Sequence, residues 1–273
     1  MTTISFDHAA TDYSLAHARC LAYAAELAYK DEQRVEAVAN SWGFDRVTSF
    51  RVPHVPPFPL VDTQAYIAAN DRMIIVAFRG TQPEELRDWL SDANTLLAPY
   101  AAGSGMIHAG FYRALDVVHP AMLDTLEDWR TGGQSLWFTG HSLGGALAML
   151  AATRTYFEDP SLLADGVYTF GQPRTCCPVL AAAYDKAFRG RMFRFVNNND
   201  VVAQLPPPPL FQHVAEERYF DAKGKLREKK MPLVAGLADR LNGRTADVLA
   251  PGTDGVRDHF INAYLANFDA NLR

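Results

Sequence analysis

Between residues 136 and 151 the chain passes from Leu136-Trp137-Phe138-Thr139 through Gly140-His141-Ser142-Leu143-Gly144 into Ala146-Leu147-Ala148-Met149-Leu150-Ala151. An apolar strand, a five-residue corner and an apolar helix leave few folds open. Strand and helix must pass so closely that no side chain fits at the flanking positions, which glycine satisfies, and the residue at the apex takes a strained backbone conformation. The Ser142 hydroxyl then stands clear at the edge of a sheet. The helix that follows aims its free N–H groups and the positive end of its dipole at the same spot. A serine in that setting suits nucleophilic attack with a negatively charged oxygen forming beside it; the alternative is an ordinary glycine-rich turn.

The rest of the pattern supports one large α/β domain over residues 1–273. Hydrophobic residues make up 48% of 273, enough for a sizeable core, and no linker, repeat or low-complexity block divides the chain. Helices are expected over residues 13–29 and 32–40, and strands over 47–52, 64–69 and 73–78. A long helix is expected over 110–129. After the serine corner, strand, helix and strand alternate at 167–170, 179–188 and 192–196, which means a largely parallel sheet with crossover helices. A hairpin around Gly224, a helix over 231–241 and a closing helix over 256–268 complete the reading.

Charge and cysteine content narrow the class. A net charge of −5 gives no electrostatic reason to expect nucleic acid as a partner, and the basic residues between 223 and 230 read as a solvated hairpin. No apolar run reaches the length of a membrane span. The first residues lack the basic start and apolar core of a secretory signal. Cys20, Cys176 and Cys177 do not suggest a disulfide framework, because neighbouring cysteines rarely bridge each other. Both points lead to the expectation of a cytoplasmic protein, the alternative being a secreted one whose leader has been removed. No His/Cys cluster has zinc spacing, so neither metal nor organic cofactor is expected.

A serine hydroxyl needs a base, and the base needs a carboxylate to hold its tautomer. After a corner of this type the partners follow in the order acid, then histidine. Asp200 comes directly after the strand ending at Val196, at the sheet edge where Ser142 emerges, although an aspartate there also suits a turn. His259 and His213 are the two histidines downstream; His259 lies on the loop entering the last helix, from which it can reach over the sheet edge, and His213 follows the proline run 206–209. Asp258 adjoins His259 and is a poor orienting acid for that reason. The other six histidines read as surface or scaffold residues. A second oxyanion donor belongs at Arg79-Gly80-Thr81, where Thr81 offers an N–H and a hydroxyl. The next helix, expected over about 82–98, carries Leu86, Trp89, Leu90, Ala93 and Leu97 along one face, as a lid or as a fixed packing helix would.

Together these residues resemble the class 3, fungal-type lipase family of α/β-hydrolases. The resemblance runs in order through Ile75-Val76-Ala77-Phe78-Arg79-Gly80-Thr81, Asp88-Trp89-Leu90-Ser91-Asp92, His108-Ala109-Gly110-Phe111, Gly140 to Ala148, Tyr168 to Arg174, and Asn197 through Asp200 to Pro206, with His259 and Tyr264 as a late motif. It implies Ser142 as nucleophile, Asp200 as orienting acid, His259 as general base, Thr81 and the Leu143 N–H as oxyanion hole, and a lid after Thr81. The activity implied is hydrolysis of lipid esters, with a lipid–water interface as partner. A soluble short-chain or feruloyl-type carboxylesterase and a catalytically silent lipid-binding protein are the alternatives.

Overall fold

Met73-Ile74-Ile75-Val76-Ala77-Phe78 is apolar at every position, the pattern of a strand covered on both faces, and all six residues are buried. In the computed structural model, which describes residues 4–53, 62–80, 97–100, 105–227 and 254–273, this strand lies inside an eight-stranded sheet. The strands are β1 (Arg46–Pro53), β2 (Asp62–Ala69), β3 (Met73–Phe78), β6 (Ser135–His141), β7 (Gly166–Phe170), β8 (Met192–Asn197), β9 (Glu216–Phe220) and β10 (Leu226–Arg227), ordered β1-β2-β3-β6-β7-β8-β9-β10. Pairing from β3 through β9 is parallel, with antiparallel partners at both margins. A separate antiparallel pair joins β4 (Leu97–Pro99) to β5 (Met106–His108).

Alternate residues of each central strand feed two apolar layers. On one face Ile74, Val76, Phe78, Leu136, Phe138 and Val167 meet α3 (Ala109–Asp116), α4 (His119–Trp129), α5 (Leu143–Glu158) and α6 (Pro178–Ala187). On the other, Ile75, Ala77, Trp137, Tyr168 and Phe195 meet α1 (Leu15–Leu27), α2 (Glu32–Ser41) and α8 (Ile261–Asn271). Helix α5 is buried almost all round, as its Ala- and Leu-rich sequence requires.

Three expected elements differ. The helix expected over 110–129 is two helices, α3 and α4, because Pro120 lacks an N–H and its ring would strike the carbonyl of Asp116; Val118 closes α3 with a short bond to the Leu115 carbonyl (3.0 Å). The closing helix is likewise split into α7 (Asp254–His259) and α8. Phe260 between them is extended (φ −62°, ψ 137°), and Ala263 N–H reaches the Phe260 carbonyl (2.9 Å) instead of that of His259, which accepts from His141 Nε2 (2.6 Å). Leu97, expected at the end of a lid helix, begins β4 opposite His108. The expected helix over 231–241 lies outside the described residues.

Among the described residues four histidines are held as neutral rings, one of them His213, which burial and then Arg194 and Arg174 keep well below its usual value. Burial is the main cause in each case. It brings His17, packed 4.1 Å from the Trp137 ring, down to about 4, and His119, with Arg154 adding to the effect, also to about 4. His141, beside His259, falls to about 3. The unfolded chain takes up protons near pH 6.5 that the folded chain refuses, so stability is complete above pH 6.5 and declines as pH falls toward 4, by about 1.4 kcal/mol per pH unit for each such ring. Urea midpoints measured from pH 8 to 5 should be level down to 6.5 and then fall. His17→Phe should reduce that slope by about one proton, and a level profile to pH 5 contradicts this account.

Candidate active site

At the apex of the corner between β6 and α5, Ser142 has φ 58° and ψ −130°, a conformation that costs an L-residue on the order of 1–3 kcal/mol and is held by its surroundings. Its N–H donates to the Phe170 carbonyl (2.9 Å), while Gly145 and Ala146 donate back to the Ser142 carbonyl (3.0 and 3.3 Å). Gly144 sits against the Phe78 carbonyl and the Arg79 and Gly80 backbone, where an added Cβ would collide with atoms that cannot swing aside. That contact locks the corner onto the end of β3. Leu143, as first residue of α5, has no acceptor for its N–H within the helix.

His259 closes α7 and places Nε2 2.8 Å from Ser142 Oγ and Nδ1 2.9 Å from each carboxylate oxygen of Asp200. A carboxylate only accepts, so Nδ1 carries the proton and Nε2 offers its lone pair to the serine hydroxyl. All three side chains are buried, with Ser142 and His259 at 1% exposure and Asp200 at 0%.

Asp200 leaves the end of β8 and receives more than the imidazole. Tyr264 Oη donates to Oδ2 (2.5 Å), and the N–H groups of Val202 and Ala203 donate to Oδ1 (2.9 and 3.4 Å). Four donors thus converge on one carboxylate. Tyr264 also accepts from Asn197 N–H (3.0 Å), tying α8 to the strand that supplies the acid. Beneath the pair, Gly171 has φ +61°, and a Cβ there would lie 2.7 Å from Asp200 Oδ2 and 3.0 Å from the His259 ring. Only glycine satisfies both the left-handed backbone and that approach.

His213 lies elsewhere: its Nε2 bonds the Ala203 carbonyl (2.7 Å). Asp258 binds the loop before Asp200, its Oδ2 accepting from Asn198 Nδ2 (2.9 Å) and Asn199 N–H (3.1 Å), and so steadies the acid without facing the histidine. His108 caps α3, its Nδ1 accepting from Gly110 N–H (3.2 Å). Thr81, Leu86, Trp89 and Leu90 lie outside the described residues. Sequence reading did not find the parts played by Gly171 and by the Tyr29–His141 pair described below. The signal for Gly171 was present, since a glycine at a strand end beside the expected acid invites the question of what approaches it.

A mostly parallel sheet between two helix layers, with Ser142, Asp200 and His259 at the carboxyl ends of its strands or beyond them, defines the α/β-hydrolase fold. The chain belongs to the class 3 lipase family, which matches residues 75–210. It is 33% identical over 169 residues to a lipase of Rhizomucor miehei, covering 59% of this chain and 46% of that one. It is 30% identical over 167 residues to secreted mono- and diacylglycerol lipase A of Penicillium cyclopium, covering 59% and 53%. The chain thus spans about half the length of these curated relatives. The solved structure of Rhizomucor miehei triacylglyceride lipase superposes with a TM-score of 0.63 at 24% identity, covering 88% of this chain and 89% of that one.

The expectation of a cytoplasmic protein is overturned by these relatives, among them the secreted Penicillium enzyme. The cysteines misled for a physical reason. Cys20 and Cys176 are free thiols sealed in the core, and a thiol so placed stays unpaired without a reducing compartment. No helix among the described residues is long and apolar enough to cross a membrane.

Proposed function

We propose that this protein hydrolyses carboxylic esters of lipids, acylglycerols foremost, through an acyl-Ser142 intermediate. The observation that carries the reading is the continuous line from Ser142 Oγ through His259 to Asp200, at 2.8 and 2.9 Å. His259 Nε2 takes the serine proton as Oγ attacks the ester carbonyl, and the electron pair of the C=O bond moves to oxygen. Collapse of that tetrahedral species expels the alkoxide, which receives the same proton from Nε2. Water then repeats the sequence on the acyl-serine and releases the carboxylic acid. Asp200 orients the ring through Nδ1–H and stabilises the imidazolium. The developing oxyanion is met by the Leu143 N–H and by Thr81, each donor contributing about 100- to 1000-fold in turnover.

The segment after Gly80, with Leu86, Trp89 and Leu90 on one side, is assigned as a lid within a single domain. The apolar stripe in its sequence supports the assignment. Hydrolysis of p-nitrophenyl esters from acetate to palmitate, with tributyrin carried across its solubility limit, tests the substrate class. A jump in rate above saturation is expected. Smooth saturation confined to short chains overturns the lipid assignment in favour of a soluble carboxylesterase, and neither hydrolysis nor organophosphonate labelling would leave a lipid-binding protein.

A further inference from the structure

A second set of polar groups converges on His259 from behind. His141, the last residue of β6, is 4% exposed, and its ring centroid lies 4.7 Å from that of His259 with 31° between the planes. Its Nε2 is 2.6 Å from the His259 carbonyl oxygen and its Nδ1 is 2.9 Å from Tyr29 Oη. Since a carbonyl only accepts, Nε2 holds the proton, and the lone pair of Nδ1 receives the tyrosine hydroxyl. Burial and the neighbouring His259 keep this ring neutral down to about pH 3, so the arrangement survives wherever the enzyme is folded. The Tyr29 oxygen in turn faces the Gly80 amide, and a Cβ on Gly80 would collide with both Tyr29 Oη and the His141 carbonyl.

The bond to His259 coincides with a break in the backbone ladder. Helix α7 would continue into α8 if the His259 carbonyl accepted from Ala263, but Ala263 bonds Phe260 and the chain turns out at Phe260. The imidazole of His259 is therefore presented from a helix end whose position is fixed by a donor on β6, the strand that carries Ser142.

We infer that His141 is a positioning residue, whose Nε2–H anchors the His259 carbonyl and whose tautomer is set by the Tyr29 hydroxyl, so that the base is held in register with Ser142 and with the Gly80 end of β3. The inference rests on the reading of His259 as the general base. It differs from ordinary structural support in one respect: the hydrogen bond acts on the aim of one ring, and displacement of a reacting group by about 1 Å costs on the order of 100-fold in rate.

The test compares His141→Leu, His141→Gln and Tyr29→Phe on a soluble p-nitrophenyl ester. His141→Leu should lower kcat by about 10- to 100-fold with KM unchanged. His141→Gln, whose side-chain amide can reach the same carbonyl, should recover most of that loss. Tyr29→Phe should lower kcat less, and should add nothing in the His141→Leu background, because the two act as one unit. Equal kcat for the leucine and glutamine variants, or multiplicative effects in the double variant, overturns the inference. If His141→Leu does not fold, Tyr29→Phe with a wild-type melting temperature decides it, and unchanged kcat there is the contrary result. Ser142→Ala and His259→Ala assayed alongside separate the two levels. Full activity in these removes the hydrolase reading itself, whereas their inactivity beside a fully active His141→Leu removes only the role of His141.

Discussion

Ser142→Ala is expected to lower ester turnover by about 10⁶-fold while leaving the fold intact. The serine side chain donates only toward His259 Nε2, and alanine fits the space that serine leaves. The strain at φ 58° is borne equally well by alanine, because it comes from the crossing of Gly140 and Gly144 and not from the hydroxyl. A thermal melt within a few degrees of wild type, together with loss of both hydrolysis and phosphonate labelling, is the anticipated pair of results. Retained labelling would place the nucleophile elsewhere.

Asp200→Asn should be nearly as damaging to turnover, by about 10⁴-fold, and should also destabilise the chain. The reason is a count of donors. His259 Nδ1, Tyr264 Oη and the N–H groups of Val202 and Ala203 all point at this carboxylate. An asparagine has one oxygen, and its NH2 must face at least one of those donors wherever it turns. If it faces His259, the imidazole has to adopt the other tautomer, with a proton on Nε2 and no lone pair for the serine. If it faces the backbone amides or Tyr264, a buried donor is left unmet at about 1–3 kcal/mol. Asp200→Ala, which leaves every one of these donors without an acceptor, should lower the melting temperature further than Asp200→Asn does. Wild-type kcat in Asp200→Asn would end the role assigned to the acid.

The residues legible in the sequence are those whose placement is decided nearby. Gly140 announces the corner because its steric conflict is with Gly144 and Gly145, a few residues on, whereas the conflict at Gly144 is with the distant Phe78–Gly80 backbone. Asp200 is legible because a strand ends immediately before it. The break at Phe260 is different: it goes with a hydrogen bond from the distant His141 to the His259 carbonyl, and no local preference around residues 256–268 carries that information. The break between α3 and α4 was written in Pro120 and outweighed by the apolar periodicity on both sides of it. Asp258 shows a third situation. Its chemistry as a carboxylate was visible, but whether it faces His259 or the Asn198–Asn199 backbone depends on how α7 meets the end of β8.

One feature of the helix layer opposite α5 ties the candidate triad to the early part of the chain. Helix α8, which carries Tyr264 and follows His259, docks on α1, with Arg19 Nε 2.6 Å and Tyr23 Oη 3.1 Å from the carboxylate of Asp269. The proposed base and the tyrosine that holds its acid thus belong to a segment fastened to α1, so the alignment of His259 with Ser142 rests in part on a contact far from the serine corner.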